Sequence, residues 1–356
     1  MNSNIKTGGI AHVDGALGFY RVAIVGAASL KGKEVAEVLE QRNFPSLDVK
    51  LLDDDESLGQ LEAVKDEVTF IQSVRSEQFD RVDFTFFVSD ADCTRRNWQH
   101  VLKSGSAVVD LSYALEDEPG AALRAPWVER ELGQVFTLDL QPGPAVVAHP
   151  ASVALALLLT RLHAAVPIKR VVATVLEPAS EHGQKGMDEL HEQTINLLSF
   201  QPLPKNIYDV QVAFSMVARY GEQSTPPLSS VTERVVKHYK KIVGSRAPVP
   251  SLLLVQAPVF HGHAFSLHVE FEQLAAVSQV SLALTGEHVS VSDSEETPNN
   301  VNAAGQGNIL VAVTPDPGDA RSVWLWATAD NFRVAAITAV EVAEGMAATR
   351  PRGPIQ

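Results

Sequence analysis

The 356-residue chain contains a single cysteine, Cys93. That excludes an internal disulfide framework and suits a reducing compartment. No uninterrupted apolar stretch reaches the roughly 20 residues that a membrane-spanning helix needs. The opening segment, MNSNIKTGGIAHVDGALGFY, lacks the basic end and continuous apolar block of a signal peptide. It reads as a loose leader over 1–19, and the cytoplasm is the expected location. Basic charge is scarce too: 29 Lys and Arg against 43 Asp and Glu leave a formal net charge of -14. A field of that sign disfavours nucleic-acid and anionic-membrane partners, and no Lys/Arg run offsets it. No internal repeat is found. Apolar residues are present in ordinary measure, 45% of the chain. Over this length they suffice for two domains with substantial cores.

The N-terminal part alternates strand-like and helix-like text. Val22 to Val25 form a short apolar run, and Val35, Val38 and Leu39 then recur at helical spacing among charged residues. LDVKLL, VDFTFFV and AVVDLS read as further strands, with the helical TRRNWQHVLKSG between the last two. Such alternation predicts right-handed βαβ units and a parallel sheet. The pattern changes near residue 148. A very apolar helix over Val153 to Val166 leads into the β-rich RVVATVLEP, and SLLLVQAPVF and AFSLHVEFE suit a mixed or antiparallel sheet. Between them, a helix within HGQKGMDELHEQTINLLSF carries Met187, Leu190, Thr194, Leu197 and Leu198 on one side. Residues 286–308, rich in Ser, Asn and Gly, predict an irregular excursion. RVAAITAVEVAEGM predicts a closing helix, and 348–356 a tail.

Gly26-Ala27-Ala28-Ser29-Leu30-Lys31-Gly32 joins the first strand to the first helix. A nucleotide pyrophosphate would meet backbone N–H groups and the positive helix end there. Gly26 permits the tight turn, and Gly32 permits close helix–sheet packing. The Gly-x5-Gly spacing differs from the commoner GxGxxG, and a plain strand-to-helix turn is the alternative. The second strand runs into Asp53-Asp54-Asp55-Glu56. Their charge would repel the 2′-phosphate of NADP, whereas one of them, Asp54, would accept from the ribose hydroxyls of NAD. NAD is therefore favoured over NADP; a solvated acidic loop is the alternative.

Several segments, in order and over residues 20–346, resemble aspartate-semialdehyde dehydrogenase: VAIVGAASLKGKEVAEVLEQRNFP, VVDLSYALEDEP, AHPASVALALLL, GQKGMDEL, APVFHGHAFSLHVEF and ADNFRVAA. The resemblance implies an α/β chain, with a Rossmann-like parallel-sheet domain and an α+β dimerisation domain. The first would take 20–147 with the C-terminal helix, 330–347, and the second 148–329. It implies a homodimer, a nicotinamide cofactor and an aldehyde or semialdehyde substrate. The family's reaction uses a cysteine thiolate, a histidine acid/base and phosphate.

Carried over residue by residue, the resemblance places the nucleophile at Ser152, after Ala151, and the acid/base at His263. The phosphate-binding arginine falls on Glu116, the substrate-carboxylate arginine on Gln256 and the glutamine near sulfur on Glu177. The ammonium-binding glutamate falls on His238, and a neighbouring lysine on Arg234. The 2′-phosphate ligands fall on Asp54 and Glu56. Asn331 is kept among the cofactor contacts.

A serine hydroxyl stays protonated where a cysteine would ionise. Ser152 is read either as a helix N-cap or as a weak nucleophile with His263 as base. His263 is either a surviving acid/base or a packed histidine, and His149 is close enough in sequence to reach the same pocket. His261 and His263 alternate onto one side, but no third ligand at suitable spacing supports a metal. Cys93 is read as incidental and expected near the nicotinamide half. The leading expectation is a relative degenerate for the phosphorylating reaction. The alternative is an active NAD(P)-dependent oxidoreductase on an aldehyde or semialdehyde, with His263 as acid/base and Ser152 positioning the carbonyl.

Overall fold

The computed structural model describes residues 19–53, 59, 61–64, 67–134, 143–292 and 297–349. Strand β1 spans Tyr20–Val25, and Val22, Ala23, Ile24 and Val25 have no exposed surface. Burial on both faces is the condition a parallel sheet covered by helices creates. Helix α1, Leu30–Gln41, follows at once. Ser29 caps it, its Oγ accepting from the Gly32 N–H at 3.0 Å, and Gly32, Val35, Val38 and Leu39 are its buried residues. Next come β2 (Ser46–Asp53), β3 (Leu61–Val64), β4 (Glu67–Phe70), β5 (Gln72–Ser73), β6 (Phe84–Phe87), α2 (Ala91–Lys103), β7 (Ala107–Asp110), β8 (Ala122–Arg124), α3 (Pro126–Glu131) and β9 (Ala145–Val147). β3 and β4 pair as a separate two-stranded sheet. The other strands form one parallel sheet in the order β5-β2-β1-β6-β7-β9-β8. β2 lies on one side of β1 and β6 on the other. The C-terminal end of β1 is thus a topological switch point, where open α/β sheets receive ligands.

Helix α4, Pro150–Ala165, then crosses to a second layer, and every residue from Pro150 to Thr160 is buried. Beyond it lie β10 (Ile168–Glu177), α5 (Gly183–Leu198), α6 (Leu228–Val243), β11 (Ser251–Gln256), β12 (His263–Phe271), α7 (Val277–Leu284), β13 (Val289–Val291), α8 (Asn300–Ala303), β14 (Ile309–Pro315), β15 (Ser322–Ala329) and α9 (Asn331–Thr349). The six strands form a mixed sheet in the order β11-β10-β12-β15-β14-β13. Its register divides the side chains cleanly. Val171, Ala173, Val175, Phe265, Leu267 and Val269 are buried on one face. On the other face Val172, Leu253 and Trp324 are 42%, 51% and 42% exposed. Helix α9 returns to the first sheet and packs on α1, α3 and α4. Arg333 ties it to α1, bonding Glu34 at 2.6 Å and Glu37 at 3.2 Å.

Three expectations change. The excursion over 286–308 carries β13, paired parallel to β14, and α8, capped by Asn299. Its polar composition masks an edge strand held by backbone pairing; residues 293–296 lie outside those described. Leu198 is 70% exposed, because the last turn of α5, with Ile195 and the following Phe200 exposed as well, projects beyond the packed part of the helix. The apolar helix begins at Pro150, three residues early, which matters for Ser152 below. Among the described residues, no helix is long and apolar enough to cross a membrane.

Candidate active site and nucleotide turn

The turn between β1 and α1 requires its glycines. Gly26 has φ +92°, and a Cβ on it would lie 2.5 Å from the Ser89 backbone nitrogen. A Cβ on Gly32 would lie 2.4 Å from the Gly26 carbonyl oxygen. The Gly26 and Ala27 N–H groups both donate to Leu52 O, at 2.8 and 3.2 Å. The Ala28 N–H donates to Asp53 Oδ2 at 2.7 Å, so the last residue of β2 anchors the turn. Ser29 Oγ bridges Gly26 O and Gly32 N. Leu30 and Lys31 open the helix, and Lys31 Nζ reaches away from the turn, 5.7 Å from the Tyr113 ring centroid. Beside the turn lies a 380 Å³ cavity lined by Gly26, Asp53, Ser89, Cys93, Arg96 and Asn97. Cys93 thus shares this cavity with Asp53. The two glycine clashes show that the turn packs directly on the Ser89 backbone and on itself, and the cavity beside it leaves room for a ligand at the helix N-terminus. Asp54 and Glu56 lie outside the described residues.

The second group gathers where α4, α6, β10 and β12 converge. Ser152 is not the cap of α4. That role falls to His149, whose Nδ1 accepts from the Ala151 N–H at 3.2 Å. Pro150 at the first helical position brings the start forward, which leaves Ser152 inside the first turn. Its hydroxyl is fully buried and donates to Val235 O at 2.9 Å. Neither ring nitrogen of His263 has a hydrogen-bond partner, so no Ser152–His263 dyad exists.

Glu116 is engaged by a basic trio. His238 Nε2 is 2.8 Å from its carboxylate, Arg234 Nε 3.3 Å and Lys237 Nζ 3.6 Å. The His149 N–H donates to His238 Nδ1 at 3.0 Å, so the His238 proton is on Nε2 and points at Glu116. Burial pushes the Glu116 carboxyl up, but the His238 hydrogen bond and the Arg234 charge outweigh it and hold the group at about 2. Arg234 also lies 5.0 Å over the Tyr113 ring, which stacks on His149 at 5.6 Å. Gln256 is equally committed. Its Nε2 donates to Glu177 O and Ala257 O, and its Oε1 accepts from Tyr220 at 2.6 Å.

Glu177 and His263 stand in one row with Gln256 on the buried face. Glu177 pairs with Gln256 on β11, and β10–β12 register places His263 one rung beyond the Leu176–Ala264 pair. Both oxygens of Glu177 and both nitrogens of His263 are buried without a hydrogen-bond partner. Burial, then the Glu181 charge, pushes the Glu177 carboxyl well above the usual range. Burial pushes the His263 imidazole down, and His149 to about 3, so both rings are neutral near pH 7.

Glu181, which the sequence reading passed over, lies between the two histidines. Its oxygens are 3.6 Å from His149 Nε2 and 3.8 Å from His263 Nε2. Asn331 Nδ2 donates to it at 2.8 Å. Burial opposes its ionisation, and the Lys31 charge and the Asn331 hydrogen bond favour it. That direct amide bond holds whatever the state of the imidazoles. Asn331, expected against the cofactor, has its amide oxygen on the Gly262 N–H and Ser180 as well. It braces the start of α9 against β12 rather than standing open. The structure therefore brings Glu116, Arg234 and His238 together, and Glu177, His263 and Gln256 together, but leaves Ser152 apart from the base. Tyr113 and Glu181 escape sequence reading because their partners are distant in the chain. The one signal for Glu181 is a second acid four residues after the strand-ending Glu177. Among the described residues, no group of three or more His, Cys, Asp or Glu side chains could hold a metal ion.

A parallel sheet with a glycine turn at its switch point, joined to a mixed-sheet domain, is the architecture of a two-domain protein with a Rossmann-like nucleotide-binding half. Residues 21–134 match the family described as semialdehyde dehydrogenase, NAD binding domain, and 159–334 that described as semialdehyde dehydrogenase, dimerisation domain. The chain belongs to the semialdehyde dehydrogenase family. It is 31% identical to a USG-1 protein homolog of Azotobacter vinelandii, over 91% of this chain and 96% of that one. It is 26% identical to the aspartate-semialdehyde dehydrogenase of Rickettsia bellii, over 93% and 98%. A solved structure of a probable aspartate-semialdehyde dehydrogenase from Pseudomonas aeruginosa superposes with TM-score 0.81 at 27% identity, over 92% of this chain and 98% of that one.

Proposed function

We propose that this chain is a nicotinamide-nucleotide-binding homodimer of the semialdehyde dehydrogenase family that no longer performs a phosphorylating reaction. The observation that carries the reading is the Ser152 hydroxyl, buried and donating to Val235 O rather than facing His263. A hydroxyl spent on a helix carbonyl has no base to activate it. Glu116 adds to this: a carboxylate held ionised by its own basic trio repels a phosphate and neutralises the cations that would bind one.

The nucleotide would be held by Gly26, Ala27, Ala28, Ser29, Leu30, Lys31 and Gly32, with Asp53 at the ribose end. When bound it supplies hydride transfer. Asp53, and Asp54 beyond it in the sequence, favour NAD over NADP by charge. The nucleotide domain takes 20–147 with 330–347, and the second domain 148–329. The open face of the mixed sheet, with Val172, Leu253 and Trp324, is where a second copy packs; the match to a dimerisation domain supports this. Calorimetric titration with NAD and with NADP tests the site, paired with phosphate-dependent oxidation of aspartate semialdehyde. Micromolar NAD binding without phosphate-dependent turnover is expected. Robust phosphate-dependent turnover that disappears with His263→Ala would overturn the lost-reaction reading.

One observation favours a second reading, an active NAD(P)-dependent oxidoreductase on an aldehyde or semialdehyde. His263 and Glu177 present four unsatisfied polar atoms in a buried site. A reduction needs no covalent intermediate, and the proton for the carbonyl oxygen would come from the imidazolium form of His263, which has to take up a proton before each turnover because burial favours the neutral ring. In the structure Ser152 cannot position that carbonyl, since its hydroxyl is committed to Val235.

A further inference from the structure

The four unpartnered atoms of Glu177 and His263 specify what would satisfy them. Both side chains lie on the buried face of adjacent antiparallel strands, at cross-strand neighbour positions whose Cβ atoms sit about 5 Å apart. Neither bonds the other or any other protein group. Buried polar groups are ordinarily paired, so four such atoms in one place mark a site for something from outside the chain. Burial leaves Glu177 protonated and His263 neutral. A neutral carboxyl offers one O–H donor and a carbonyl acceptor; a neutral imidazole offers one N–H donor and one acceptor nitrogen. The unpartnered set therefore contains donors and acceptors in equal measure.

A carboxylate or phosphate only accepts hydrogen bonds. It would leave the Glu177 carbonyl and the His263 acceptor nitrogen facing lone pairs. It would also meet the ionised Glu181, 3.8 Å from His263, while Arg234 is already paired with Glu116 at 3.3 Å. An ammonium only donates, and would confront the two donors. A primary amide or the hydrate of an aldehyde carries two donor hydrogens and at least two lone pairs, and satisfies all four atoms; a single hydroxyl satisfies three.

We propose that Glu177 and His263 form a subsite for an uncharged group that both donates and accepts hydrogen bonds, so that the substrate is a non-anionic, hydroxylated carbonyl compound. The inference names the substrate class for the oxidoreductase reading and rests on it for turnover, though not for binding.

Three probes of matched size separate the possibilities on the full-length chain: glycolamide (neutral), glycolate (anionic) and ethanolamine (cationic), titrated by ligand-observed NMR. Glycolamide should bind at least fivefold tighter than either of the others. Glu177→Gln, which keeps one donor side and one acceptor side, should retain that preference. Glu177→Leu and, independently, His263→Phe should abolish it. The wild-type series decides the matter even if an apolar variant fails to fold. Tightest binding by glycolate or ethanolamine overturns the proposal. So does binding of all three within twofold, or of none, which would mean that the two side chains hold only water. NADH oxidation with glycolaldehyde is measured on the same sample. Glycolamide preference without turnover leaves the subsite standing and removes the oxidoreductase reading. Turnover without that preference does the reverse.

Discussion

Replacing Ser152 separates a structural hydroxyl from a reactive one. In Ser152→Ala the loss is one buried hydrogen bond, to Val235 O at 2.9 Å. Val235 lies inside α6, so its carbonyl keeps its helical partner four residues on and is not orphaned. The cost is then that of a made bond, about 1 kcal/mol, rather than the larger penalty of a stranded polar group. The removed oxygen leaves a void too small for water, which adds little. About 1 kcal/mol is roughly a fivefold change in the folded-to-unfolded ratio and, for a chain this long, about 1–2 °C in Tm. Any NAD(P)H-dependent turnover should be unchanged. Ser152→Cys should behave alike: a thiol at this position is aimed at Val235, and Glu116 and Gln256 remain committed to protein partners. Differential scanning fluorimetry reads the first effect, and a phosphate-dependent assay with aspartate semialdehyde reads the second. A gain of about a hundredfold or more in phosphate-dependent rate from Ser152→Cys alone would refute the reasoning. So would loss of all turnover in Ser152→Ala.

Three more outcomes follow from the same geometry. Gly26→Ala forces a Cβ to within 2.5 Å of the Ser89 backbone at φ +92°. It should cost about 1–3 kcal/mol and weaken nucleotide binding at least tenfold by calorimetry. Acid should destabilise the fold through His149, which burial pushes from its ordinary value down to about 3. Between about 6.5 and 3 the unfolded chain binds the proton and the folded chain does not, so stability falls as pH drops through that window, by at most about 1.4 kcal/mol per unit. His149→Asn keeps a cap and cannot titrate there, so urea midpoints measured across the window should show a flatter slope; an unchanged slope would remove His149 as the cause. Leu253→Asp places a charge on the open sheet face at a 51% exposed position. It should convert dimer to monomer in sedimentation velocity with little change in monomer Tm; an intact dimer would move the interface elsewhere.

The sequence was most informative where local spacing and burial agree. The all-apolar Val22–Val25 run, the glycines at 26 and 32 and the helical stripe of Val35, Val38 and Leu39 lie as their pattern implied, because strand, turn and helix there are set by neighbours in the chain. The ordered motifs carried the family and the two-domain architecture in the same way. Single residues told less. Ser152 reads as a cap until Pro150 and His149 are seen to start the helix earlier. Leu198 reads as core on α5, and only the packing shows that its turn projects beyond it.

What the sequence by itself determined is therefore the fold class and the family. What only the tertiary structure decided is where the Ser152 hydroxyl points, that Glu116 is shared by His238 and Arg234, and that Glu181 lies between His149 and His263. Elements are specified by contacts a few residues apart and leave a periodic trace in the text. The site is made of contacts between residues as distant as Glu116 and His238 or Glu181 and Asn331, whose pairing depends on which strands and helices come together.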